Sequence, residues 1–243
     1  MEVTFRQSSA IDREQLMVTH KSQAGFTLSE LLIAMAISLL LLAGMVMAFT
    51  GQSRSYNTQQ EITALQEDLR ASLDMMSSEI RLAGYDPTKK AGAKILKATA
   101  TEFQFTLDIT NDAGTGPSDG DTNDANENIR YAISGTGSLG RETTTASGAS
   151  GLQPMAENIE HLAFDYLMAD GTWTSGPALT DLKQIRAIKI AVLGRTARGT
   201  STATDSSAFK PPLSAAPDWT PAKPGKFQRR MMSVVVQLRN LQG

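Results

Sequence analysis

Between Asp108 and Tyr131 runs "DITNDAGTGPSDGDTNDANENIRY", where Asp108, Asp112, Asp119, Asp121, Asp124 and Glu127 stand among asparagines and glycines. Clustered carboxylate and amide oxygens are the ligands that Ca2+ takes in groups of six to eight. The spacing is not that of an EF-hand: counted from Asp119, the sixth position is Asp124 instead of Gly and the twelfth is Arg130 instead of Glu. Two readings stay open. One is a solvated acidic loop; the other is a Ca2+ site built on Asp119, Asp121 and Asp124, which would restrain a self-repelling loop in a chain that has no cysteine for a disulfide. No further cofactor is expected.

Glu30 is the other acid in a chemically pointed place. It stands at the head of "LLIAMAISLLLLAGMVMAF", Leu31 to Phe49, a run with no charge that is interrupted only by Ser38 and Gly44. Such a run has about the 20 residues of a membrane-spanning helix. An acidic residue at the centre of such a helix costs roughly 2.5–3.5 kcal/mol on insertion scales, so a partner must offset it.

Other chemistry is thinly supplied. The absence of cysteine excludes thiolate metal sites and cysteine nucleophiles, and His20 and His161 are isolated in sequence. No nucleophile elbow, HExxH pair or phosphate-binding glycine loop occurs, so a single-pass anchored enzyme has no motif behind it. The formal net charge of -2 over 243 residues does not suit a protein that neutralises phosphates, and no nucleic acid partner is expected.

Around these residues the sequence organises into one long helix and a set of strands. Lys21 and His20 precede the apolar run and Arg54 follows it, which leans toward a cytoplasmic N-terminus. Beyond it Ile62, Leu65, Leu69, Leu73, Met76 and Ile80 recur at helical spacing, with Glu61, Glu67, Asp68, Arg70, Asp74 and Arg81 largely off the stripe. Gly84 and Pro87 in "AGYDP" supply the stop. A helix from about Thr27 to Ala83 would be roughly 85 Å long at 1.5 Å per residue, with Gly44 and Gly51 as its weak points.

Strands are expected in Lys94–Ile109, Asn128–Ser134, Ile159–Met168, Ile185–Arg195 and Met231–Arg239, each with alternating or continuous apolar residues between turn formers. The stretches Ser134–Gly151 and Thr196–Gly225 read as exposed connections. His161, at the start of a strand, reads as an ordinary strand residue. The expected fold is α+β: a long N-terminal helix, first apolar and then amphipathic, packed on an antiparallel β-sheet domain. The segments are residues 1–25, the apolar helix 26–50, the amphipathic helix 51–84 and a β-rich domain 85–243.

"GFTLSELL", Gly25 to Leu32, with the apolar run behind it, resembles the type III signal of type IV prepilins. The resemblance implies a prepilin leader over residues 1–25, cleavage by a prepilin peptidase between Gly25 and Phe26, N-methylation of Phe26, and an assembly role for Glu30. That glutamate would pair with the new amine on a neighbouring subunit. Met17 offers an alternative start, with the short basic leader "MVTHKSQAG". The order of the later pieces, from "QSRSYNTQQEITALQEDLRASLDMMSSEIRLAGYDP" to "RRMMSVVVQLRNL", resembles PilW-type minor pilins. A pilin-like fold is implied, with major and minor pilins and the inner-membrane assembly platform as partners. So is a single-pass inner-membrane location with a periplasmic C-terminal domain, before incorporation into a pilus at the cell surface. A minor pseudopilin of type II secretion is the alternative.

Overall fold

The computed structural model describes residues 25–176, 182–199, 204–212, 217–221 and 224–241. Residues 1–24, which hold Met17 and all of the expected leader 1–25 except Gly25, lie outside them. The chain divides into two units, Met1–Thr50 and Gly51–Gly243. Helix α1, Leu28–Ile80, contributes to both and is helical at Gly44 and Gly51.

In the first unit every described residue is exposed. The apolar run in this part of α1 is long enough to cross a membrane, and none of it is buried by the described residues.

The second unit holds the expected stripe. Leu65, Leu69, Leu73, Met76 and Ile80 are buried, and Ile62, at the end of the stripe, is half-buried. Past Ile80 the chain turns. Gly84 takes φ +76 and donates its N–H to Thr106 O at 2.9 Å, and a Cβ there would strike Leu241. Glycine is the residue that meets both demands.

Ten strands follow: β1 Ile95–Ala98, β2 Glu102–Thr106, β3 Asn128–Ile133, β4 Leu139–Thr145, β5 Gly148–Ala149, β6 Gln153–Ala156, β7 Ile159–Met168, β8 Trp173–Thr174, β9 Ile185–Arg195 and β10 Arg229–Gln237. They form two antiparallel sheets, one ordered β1-β2-β3-β4-β5 with β6 also on β4, the other ordered β10-β9-β7-β8. Three expectations need correction. Lys94–Ile109 is a hairpin of two strands, turned at residues 99–101, where no Gly or Pro announces the turn. Ser134–Gly151 is no loose connection, since β4 lies inside the first sheet and its β-branched threonines suit the ladder. The described residues between 196 and 225 also pair, through the bridges Asp205↔Gly225 and Phe209↔Trp219.

Period-2 alternation explains how β7 serves two cores. Leu162, Phe164 and Tyr166 face the main core, which includes the α1 stripe, Phe103, Phe105 and Ile190. Ala163 joins Ala191, Leu193 and Trp219 on the other face. His161 stacks on Trp219 with ring centroids 5.1 Å apart, and its Nε2 lies 2.8 Å from Thr220 O.

Helix α1 is fastened to the first sheet by charge as well as packing. Glu79 accepts from Arg141 Nε at 2.9 and 3.1 Å and from the Tyr131 hydroxyl, and Arg141 Nη2 also donates to Asn126 at 2.9 Å. Burial first, then the Glu79 charge, pushes the Tyr131 phenol far above its usual range, so it remains a donor. At the far end of the second sheet, buried Arg229 grips Glu160 through Nε–Oε2 at 2.7 Å and Nη2–Oε1 at 3.2 Å.

Candidate functional site: the helix head and the acidic loop

Glu30 occupies the third position of α1, and Thr27 is the residue just before the helix. The Thr27 N–H donates to Glu30 Oε2 at 2.9 Å and the Thr27 hydroxyl donates to the same oxygen at 2.8 Å. The Glu30 N–H in turn lies 3.3 Å from Thr27 Oγ1. This reciprocal pair is a capping box, in which Thr at the cap and Glu three residues later satisfy helix-end donors. The sequence "TLSE" carries that signature in T-x-x-E. Among the described residues Oε1 of Glu30 receives no hydrogen bond, so one carboxylate oxygen is committed to the cap and the other faces outward. Gly25 and Phe26 precede the helix, and Phe26 is 89% exposed among the described residues.

The acidic stretch connects β2 to β3. Its base is tied down: Leu107 N–H donates to Glu127 O at 2.9 Å, and Ile109 and Thr110 N–H groups donate to Glu127 Oε1, each at 2.8 Å. Glu127 is fully buried. Two groups of carboxylates have oxygens within 4.8 Å of one another, Asp112/Asp119/Asp121 and Asp121/Asp124/Glu127. The expected trio is thus divided, with Asp121 shared. Asp112 and Glu127 join it because the loop folds back on itself, which spacing alone does not show. Asp108 stands apart from both groups and accepts from Thr88 Oγ1 at 3.1 Å. Burial first, and then the charges of Glu127, Asp119, Asp112 and Asp121, raise the Asp124 carboxyl above its usual range.

Residues 20–46 match the prokaryotic N-terminal methylation motif, which spans Gly25, Phe26, Glu30 and most of the apolar run. Residues 124–240 match the type IV pilus-assembly protein W family. No curated protein matches the chain. Among solved structures, a type IV-like pilin, TTHA1219 from Thermus thermophilus, is 18% identical over 73% of this chain and 98% of its own, with a TM-score of 0.49.

A methylation motif heading an exposed apolar helix, followed by a helix-backed β domain, defines a type IV pilin. The match over 124–240 to the type IV pilus-assembly protein W family, together with the methylation motif, supports a type IV minor pilin.

Proposed function

We propose that this minor pilin takes part in initiating the filament together with other minor and major pilins at the inner-membrane assembly platform, in a structural rather than catalytic role. The observation that carries the reading is the head of α1: an apolar helix with no internal cover, bearing one carboxylate whose second oxygen is unoccupied among the described residues. Insertion in the inner membrane with the N-terminus cytoplasmic covers the apolar face with lipid. Hydrolysis of the Gly25–Phe26 bond by a prepilin peptidase then frees the Phe26 amine, which as the neutral amine takes a methyl group from an activated methyl donor, releases that donor's leaving group, and carries one positive charge again at neutral pH. In the filament neighbouring apolar helices replace lipid, and the amine of one subunit meets the Glu30 carboxylate of the next. An unpaired charge in low dielectric is costly, whereas a matched pair is strongly attractive, so Glu30 penalises the unassembled state and sets axial register.

Deleting the chain from its host should sharply reduce the number of surface filaments seen by electron microscopy, and the wild-type chain should restore them. Protein recovered from sheared filaments should have the intact mass of residues 26–243 plus one methyl group. Normal filament numbers in the deletion strain, or a mature N-terminus elsewhere, would contradict the reading.

A further inference from the structure

Five carboxylates meet in the β2–β3 connection, and none of the ion pairs among the described residues includes them. Several are partly satisfied by the loop's own backbone. Asp119 accepts from Asp112 N–H at 3.2 Å and Asp121 N–H at 3.3 Å, and Asp121 accepts from Asn123 N–H at 2.8 Å. Such contacts occur in any acidic loop and point to no ligand. Asp124 is different. It is 8% exposed, and its Oδ2 is buried with no hydrogen-bond partner among the described residues, although its carboxylate lies within 4.8 Å of those of Asp121 and Glu127. Glu127 beside it is fully buried as well.

A buried polar atom without a partner forfeits its hydration for nothing, and like charges brought together add to that cost. Lysine does not offset it here: the side-chain carbons of Lys90 lie against Gly120, yet Lys90 forms no ion pair with any of the five. We infer that Asp121, Asp124 and Glu127 bind a Ca2+ ion, with Asp112 and Asp119 adding negative charge beside it. The donor set is oxygen only, which suits a hard cation and disfavours zinc or copper. Loop carbonyls and water would complete the six to eight ligands. Irregular loop oxygens suit Ca2+ better than Mg2+, which demands tighter octahedral geometry and parts with water reluctantly. The ion would pin the long β2–β3 connection to the sheet whose strands β3 and β4 hold the Glu79 clasp.

The test uses the full chain in detergent, stripped with EGTA and titrated calorimetrically with CaCl2. One saturable Ca2+ per chain is expected, with MgCl2 at least tenfold weaker. A rise in melting temperature should exceed that given by NaCl at matched ionic strength, which screens any acidic loop. Asp124→Asn should weaken Ca2+ binding at least tenfold, and Asp121→Asn does the same duty if the first variant does not fold. Absence of saturable binding, a melting shift no greater than with NaCl, or wild-type affinity in a folded variant would overturn the inference and leave a solvated acidic loop.

Discussion

Glu30 and Glu79 stand on the same helix and meet opposite fates. Glu79 is surrounded: Arg141 and the buried Tyr131 hydroxyl satisfy it, and Met76, Ile80 and Ala83 beside it are buried in the core that both sheets share. Glu30 has only its own helix end, through Thr27, and every apolar neighbour is exposed. The difference separates a stretch of chain packed within its own fold from one that is exposed among the described residues. In the second half of α1 the buried apolar residues form one stripe, and most of the remaining positions are polar. The first half is apolar all round, which is the pattern of a helix buried on every side by lipid or by other helices.

That contrast predicts graded responses to substitution. Leu69→Ala, in the fully buried part of the stripe, should cost about 2–5 kcal/mol in denaturant unfolding, because it leaves a cavity under β9. Loss of less than about 1 kcal/mol would mean that the second half of α1 is not packed as described. Glu79→Ala should cost about 1–3 kcal/mol, chiefly by leaving the Tyr131 hydroxyl and the Arg141 guanidinium without their shared acceptor. Measuring it alone and with Arg141→Ala shows whether the two costs are coupled, as contact between them requires. Leu40→Ala, 74% exposed, should change unfolding by no more than about 0.5 kcal/mol and should act instead on membrane retention or filament incorporation. A large loss of fold stability there would erase the contrast between the halves.

Acidity gives a further, smaller effect. Burial tends to raise the Glu102 carboxyl, but the hydrogen bonds and charges of Lys97 and Arg130 outweigh it and hold the group below its ordinary value of 4.5. A carboxyl lowered on folding adds stability that is complete above its unfolded value and is lost as pH falls through the folded one. Wild type should therefore lose stability below about pH 4.5, and Glu102→Gln should flatten part of that decline in denaturant midpoints. Identical pH profiles would show that the Lys97–Glu102–Arg130 cluster contributes nothing.

What could be read from the residues alone follows from how local each signal is. The α1 stripe, its end near Gly84, and strands β7 and β9 declare themselves by period and by turn formers within a few residues. The turn at 99–101 has neither Gly nor Pro, so β1 and β2 read as one strand. Strand β4 is polar because much of it is only half-buried, and its threonines among glycines pass for a linker. The capping box at Thr27 was legible as T-x-x-E. The buried oxygen of Asp124 was not, since its burial depends on the loop folding back onto the sheet, and Trp219 covering β7 and β9 depends on pairing across a long insertion.

Glu30 closes the helix cap and, under the proposed function, also supplies a charge for assembly, and the two can be separated. Glutamine fills the same place in a capping box but carries no charge. If pairing with a neighbouring amine is what Glu30 contributes to assembly, Glu30→Gln should insert and be cleaved like wild type, yet its share in sheared filaments should fall at least tenfold. Thr27→Ala, which breaks the cap and keeps the charge, should be incorporated at close to the wild-type level. Quantifying each variant in filaments against its membrane pool decides the matter: normal incorporation of Glu30→Gln, with loss in Thr27→Ala, would show that the glutamate acts as a helix cap and would contradict the pairing account.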